Sequence, residues 1–218
     1  MIISCSAVLF DLDGVLVDST AYVERQWRDW ATRRGLDPAP FLRICHGRRA
    51  LETIQIAAPT LDAEAEVARF PEFITEEPAR IDAVPGARQL LQGLPGGLWA
   101  VVTSGRRAGA ARRMREAGLP NPRVLVGADD VEHGKPSPEG YLLAAERIEV
   151  APTGCLVIED APPGVEAARA AGMRVLGLAS TYRADELRGA HLVTSALPVV
   201  LSRPIDEGIE LLVPGVAD

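Results

Sequence analysis

Short apolar runs alternate with amphipathic stretches along most of this chain. The runs at 98–103, 123–127, 155–158, 173–178 and 8–10, the last with the residues just before it, are rich in Val, Leu or Ile, and each ends in polar residues or glycine. They read as short buried strands. Between them, 106–117, 138–148 and 164–171 are helix-like. A run at 191–194 adds a final strand, and the tail after Leu201 is only weakly patterned. Strands alternating with helices predict an α/β fold, a Rossmann-like parallel sheet with helices on both faces. Ligands of such a sheet bind at the carboxyl ends of its strands.

The pattern changes between 18 and 83, where no strand-like run occurs. The stretches 26–34 and 50–56 look helical, and Pro38, Pro40, Pro59, Pro71 and Pro78 punctuate the rest. This segment reads as a small helical domain inserted after the first strand. The sequence Val84, Pro85, Gly86, Ala87 marks the return, so 1–17 and 84–218 make up the sheet domain and 18–83 the insertion.

Composition narrows the function. The chain has 218 residues, enough to bury a proper core, and a formal net charge of −7. Such acidity argues against a nucleic-acid partner and still permits a local basic site for a small anion. Cys5, Cys45 and Cys155 are odd in number and form no CxxC pair, which predicts a reducing, cytoplasmic setting and no structural zinc. No apolar run is long enough to span a bilayer, and the first residues lack a basic leader followed by a signal-type apolar segment. The expected partner is a small molecule and not a membrane. The expected assembly is a monomer or weak homodimer.

The chemistry gathers where the strands end. The first is followed by Asp11 and Asp13, the second by Thr103, Ser104 and Gly105, the third by a loop carrying Lys135, and the fourth by Glu159 and Asp160. Two carboxylates so close repel, and burying them unpaired is expensive, so a cation is expected between them. Asp11, Asp13 and Asp160 offer the hard oxygen ligands that Mg²⁺ prefers, and Lys135 adds a fixed positive charge. Thr103 and the backbone N–H of Ser104 can donate to phosphate oxygens. This set suits phosphoryl transfer, in which a carboxylate can itself be the nucleophile. Taken singly, the residues have duller readings: the aspartates as turn caps, Lys135 as a solvated lysine, Thr103 as a strand-end hydroxyl.

Together, Asp11-Leu12-Asp13-Gly14-Val15, Thr103-Ser104-Gly105, Gly134-Lys135-Pro136 and Ile158-Glu159-Asp160 resemble, in order, the four motifs of the haloacid dehalogenase superfamily. The insertion after the first motif looks like the helical cap of its first subclass. The resemblance implies that Asp11 is the nucleophile. It makes Asp13 the general acid and then base, with its backbone carbonyl on Mg²⁺. Thr103 and Ser104 would bind phosphate, and Lys135 would bridge nucleophile and phosphate. Asp160 would bind Mg²⁺, with Glu159 binding it directly or through water.

Departures within the superfamily discriminate. Asp13 and Asp160 argue against dehalogenation, and a cap without lysine argues against phosphonate hydrolysis. The stretches 99–105 and 159–168 look like those of the sugar-phosphate and glycerol-phosphate phosphatases, the branch that includes 2-deoxyglucose-6-phosphatase. His46, Gly47, Arg48 and Arg49 resemble a stretch of the same branch. The resemblance therefore implies a phosphomonoesterase for a small sugar or polyol phosphate, with phosphoglycolate phosphatase as an alternative. Arg49 is the first choice for substrate contact because a guanidinium offers several donors, followed by Arg48 and His46. The rival is beta-phosphoglucomutase, whose cap histidine controls the acid–base aspartate. Counting from the first motif places Val23 there, which predicts an Asp13 free to activate water. Outside enzymes, a receiver-like module would not need Asp13 or a cap, and a degenerate binding-only relative would have lost a motif residue.

Overall fold

A computed structural model describes residues 1–69, 81–205 and 208–215. Strands β1 (Ile2–Cys5), β2 (Ala7–Phe10) and β3 (Val17–Asp18) lead into helices α1 (Thr20–Arg33), α2 (Ala39–Leu42), α3 (Ala50–Ala57) and α4 (Ala63–Ala68). After β4 (Asp82–Ala83) come α5 (Ala87–Gly93), β5 (Trp99–Val102), α6 (Arg107–Glu116), β6 (Leu125–Val126) and α7 (Glu139–Arg147). The chain continues through β7 (Cys155–Glu159), α8 (Pro162–Ala170), β8 (Arg174–Leu178), β9 (Leu192–Thr194), β10 (Val199–Ile205) and β11 (Gly208–Leu212).

Six strands form one all-parallel sheet in the order β6-β5-β2-β7-β8-β9. Its central strands read as continuous apolar runs because both faces are covered. Alternation sorts their side chains between two cores. Val8, Phe10, Trp99, Val101, Leu156 and Ile158 pack on one face with Leu90 and Leu91 of α5 and Met114 of α6. Ala7, Leu9, Ala100, Val102, Cys155 and Val157 pack on the other with Tyr141 of α7 and Val165 of α8. This is the α/β, Rossmann-like arrangement that the sequence predicts.

Helices α1–α4 build a separate apolar cluster, set on the short antiparallel pair β3–β4. Trp27 stacks on Phe41 at 5.6 Å, and Trp30 meets Phe41 edge-on at 5.2 Å. These rings let four short helices share one core. Pro71 and Pro78, read as punctuation, lie outside the described residues.

The fold departs from the sequence reading at both ends of the chain. The stretch before Phe10 is two strands. At Ser6 the backbone N–H bonds to Gly154 O at 2.8 Å and the chain steps from one sheet to another. Before that step, β1 pairs antiparallel with β11, which pairs with β10. The weak tail pattern thus becomes a second sheet whose partners are far apart in sequence. Strand β6 is shorter than the run that predicted it, because it lies at the edge with β5 alone as its partner. Among the described residues, no helix is long and apolar enough to cross a membrane.

The aromatic cluster yields a stability test. Phe41 is 1% exposed, so Phe41→Ala is expected to cost about 3–5 kcal/mol. Leu142 is 40% exposed, and Leu142→Ala is expected to change stability by under about 0.5 kcal/mol. Denaturant unfolding of the two variants checks the contrast.

Candidate active site

Parallel register brings the predicted residues together. Phe10 pairs with Val101 of β5 on one side and Ile158 of β7 on the other. The next residues along these strands, Asp11, Thr103, Glu159 and Asp160, therefore share one sheet edge. The loop after β6 delivers Lys135 to the same point.

Lys135 lies between two carboxylates. Its Nζ donates to Asp11 Oδ1 at 2.5 Å, Glu159 Oε1 at 2.6 Å and Val102 O at 3.2 Å. Burial opposes the ammonium charge, but Asp11 and Glu159 outweigh it and hold the lysine well above its ordinary range. Glu159 is saturated by the protein. Its Oε1 also accepts from Tyr141 Oη at 2.9 Å, and its Oε2 accepts from the N–H groups of Asp160 at 2.9 Å and Ala161 at 3.1 Å.

Charge is not balanced in this pocket. The buried carboxylates of Asp11, Glu159 and Asp160 face Lys135, the one buried cation among the described residues. Burial pushes the Asp11 carboxyl above its usual range, and Glu159 and Asp13 add to the effect against Lys135. Asp160 is also held above its usual range, from burial first and then from Asp11 and Glu159. A divalent cation would relieve that excess. Gly14, at φ +85°, turns beneath Asp160, and a Cβ there would lie 2.1 Å from Asp160 Oδ2. Among the described residues, no group of three or more His, Cys, Asp and Glu side chains forms a ready-made cage. The donors present, carboxylates and backbone carbonyls, still fit Mg²⁺, which keeps several waters and takes phosphate oxygens.

Asp13 stands at the mouth of the pocket, with its side chain 24% exposed. Its Oδ1 accepts from Ser19 Oγ at 2.6 Å. Its Oδ2 accepts from Thr103 Oγ1 at 3.3 Å and from Arg113 Nη2 at 3.0 Å. Ser19 sits at the N-cap of α1, a position serine favours, yet it makes no cap bond because its hydroxyl is turned to Asp13. Val23 lines the same cleft, and Asp13 is held by Ser19, Thr103 and a core arginine, Arg113.

The inserted helices cover the carboxylates. Tyr22, Val23, Gln26, Trp27, His46 and Arg48 line the cleft opposite Asp11, Asp13 and Ser104. Ser104 Oγ donates to Gly47 O at 3.0 Å, tying core to insertion. Arg48 makes no ion pair among the described residues. Burial pulls the His46 imidazole below its ordinary range, with Glu24 acting in the opposite sense. Arg49 lies outside this lining. It donates to Glu52 Oε1 at 2.7 Å and to the backbone carbonyls of Val131 at 3.1 Å and Glu132 at 2.9 Å. It bridges the insertion to the loop before Lys135.

Several residues at the site have no counterpart in the sequence reading. Tyr141 belongs to a buried helix face and looked like core. Ser19 precedes the first helix of the insertion. Arg113 was hidden among the arginines of α6. Its signal was its position three residues after Ala110 and four after Gly109, both buried, which places it on the inward stripe.

The hydrogen bond from Tyr141 to Glu159 is measurable. Tyr141 is fully buried and its partner is ionic, so Tyr141→Phe is expected to destabilise by about 1.5–3 kcal/mol. Denaturant titration against wild type reads that loss.

Known proteins share this arrangement. Hexitol phosphatase A of Escherichia coli is 41% identical over 201 residues, covering 88% of this chain and 92% of that protein. Glycerol-1-phosphate phosphohydrolase 2 of Saccharomyces cerevisiae is 32% identical over 195 residues, covering 84% of this chain and 78% of that protein. A crystal structure of a hydrolase from Pseudomonas syringae superposes with a TM-score of 0.74 at 27% identity, covering 88% of this chain and 94% of that one. The model of the haloacid dehalogenase-like hydrolases matches residues 5–172, which span the first parallel strand, the helical insertion and all the strand-end residues described above; to that family of enzymes this chain belongs.

Proposed function

We propose that this hydrolase is a Mg²⁺-dependent phosphomonoesterase that acts on a small sugar or polyol phosphate through a phosphorylated Asp11. The observation that carries the reading is the pairing of Lys135 Nζ with Asp11 Oδ1 at 2.5 Å, beneath a small polar cleft that also presents Asp13. An ionised carboxylate held by a fixed cation is a ready nucleophile.

Asp11 attacks phosphorus, and the bond from phosphorus to the leaving alkoxide breaks. Asp13 gives its proton to that alkoxide. Asp13 then takes a proton from water as the water oxygen attacks phospho-Asp11, which releases phosphate and restores the Asp11 carboxylate. Thr103, the Ser104 N–H and Lys135 hold the phosphoryl oxygens. Bound Mg²⁺ supplies charge neutralisation for the phosphoryl group and the acidic cluster. Asp11 and Asp160, with the backbone carbonyl of Asp13, would hold it. Glu159, with both oxygens engaged by the protein, would reach it only through water.

The insertion, taken as 18–83, acts as a cap on the β3–β4 neck. Its cleft residues Tyr22, Gln26, His46 and Arg48 offer the donors and acceptors that a chain of hydroxyls requires, and Arg49 serves closure. The names of the hexitol and glycerol phosphate relatives support a polyol. The buried free thiols of Cys5, Cys45 and Cys155 are in keeping with a reducing, cytoplasmic setting.

Phosphate release from sorbitol 6-phosphate, glycerol 1-phosphate, hexose 6-phosphates and phosphoglycolate, with Mg²⁺, tests the reading. Turnover is expected to be fastest on a polyol or sugar phosphate and to stop in excess chelator. Asp11→Asn is expected to lower kcat by on the order of 10⁴-fold or more while the fold is kept. Asp160→Ala is expected to raise the Mg²⁺ concentration needed for half-maximal activity. Full turnover in chelator, or a near-wild-type Asp11→Asn, would overturn the assignment.

A further inference from the structure

The proton-transfer carboxylate of this site is held by a residue outside every motif that marks the family in this sequence. We propose that Arg113 is a positioning residue for Asp13: it clamps one carboxylate oxygen from the core, so that the proton travels on the other, which Ser19 faces. This rests on the phosphomonoesterase reading above.

The geometry is specific. Arg113 projects from α6, its side chain is only 12% exposed, and Nη2 lies 3.0 Å from Asp13 Oδ2. The buried Nε has no hydrogen-bond partner. Among the described residues, the guanidinium's side-chain hydrogen bond is the one to Asp13. The side chain passes over Gly105, where an added Cβ would stand 2.8 Å from Nη2. Gly105 has no side chain in the path of the guanidinium, although its φ is unremarkable for any residue.

The chemistry follows from what each neighbour can do. A guanidinium has five donors and no acceptor, and it does not deprotonate in proteins. While it holds Oδ2, that oxygen cannot carry the proton. Thr103 Oγ1 sits on the same oxygen. Oδ1 faces only Ser19 Oγ, a hydroxyl that rotates between donor and acceptor, so Oδ1 can be protonated. The proton leaves Oδ1 for the alkoxide oxygen as the bond to phosphorus breaks. It is replaced on Oδ1 from the water whose oxygen attacks phospho-Asp11. Among the described residues the clamp on Oδ2 is borne by the core, from Arg113 and Thr103, while Ser19 at the start of the insertion holds Oδ1. A clamp borne by the core acts whatever the position of the cap, which suits hydrolysis, since the base must meet water after the leaving group has gone.

Wild type, Arg113→Met, Gly105→Ala and the double variant are compared on glycerol 1-phosphate and on p-nitrophenyl phosphate with Mg²⁺. On the alkyl phosphate, Arg113→Met is expected to lose about 10²-fold in kcat, with KM changed by less than about threefold. On the aryl phosphate, nitrophenolate leaves without a proton, so a stoichiometric burst is expected before slow turnover, as phospho-Asp11 waits for its base. Gly105→Ala, which crowds the guanidinium, is expected to shift in the same direction, and the double variant to be no worse than Arg113→Met. Should Arg113→Met fail to fold, Gly105→Ala carries the same comparison. A raised KM with kcat kept would make Arg113 a substrate contact and overturn the proposal. Equal losses on both substrates without a burst would make it structural, with the same result. A wild type without turnover on any phosphate ester removes the phosphomonoesterase reading and this inference with it, whereas an active wild type with unaltered variants removes this inference alone.

Discussion

The contact between Lys135 and the carboxylates of Asp11 and Glu159 is the constraint around which this molecule is arranged. An ammonium buried at the end of a sheet loses its hydration, and only close carboxylates restore what that loss costs. Each carboxylate is supplied by a different strand, so β2 and β7 must be neighbours and in register for the lysine to be satisfied. Glu159 in turn is fixed by Tyr141 from α7 and by two backbone N–H groups leading into α8. Breaking one partner would strand a charge, which is why sheet order, helix α7 and the Lys135 loop are energetically one unit.

From that buried unit outward, the site grades from fixed to adjustable. Asp11, Asp160 and Glu159 are buried, and their excess negative charge is the reason a divalent cation fits beside them. Asp13 is one step nearer solvent. In the proposed mechanism it changes protonation during a cycle, which a permanent pairing like that of Asp11 and Lys135 would not allow. Ser19, Thr103 and Arg113 hold it with hydrogen bonds. The next layer belongs to the insertion. There Arg48 and His46 face the cleft, while Arg49 is spent on the join between insertion and core.

The insertion is built to be semi-independent. Its apolar cluster is formed by Trp27, Trp30, Phe41 and Ile54. It meets the sheet domain through the short β3–β4 pair, polar contacts such as Ser104 to Gly47, the packing of Tyr22 on the sheet-side core and the edge-on contact of His46 with Tyr182. Polar contacts exchange with water at little net cost.

The sequence by itself determined the parallel sheet with its helices and the cluster of polar residues at its strand ends. Both are local: a buried strand is a run of apolar residues, and each functional residue follows such a run. Once strands are parallel, their ends gather at one edge, and Asp11, Thr103, Lys135, Glu159 and Asp160 are legible as a group. Tertiary structure alone decided the rest. The pairing of β1 with β11 joins residues from opposite ends of the chain, and no local pattern encodes such a partner. Arg48 and Arg49 are adjacent and chemically alike, yet successive residues at a helix start point in different directions, so only the packed fold sends one to the cleft and the other to the Val131 carbonyl. Arg113 and Asp13 lie a hundred residues apart and meet because α6 shares a core with β2, with Gly105 leaving room beside the guanidinium. Composition and spacing record what a residue can do; which neighbour it does it with is fixed by burial and by the geometry of distant elements.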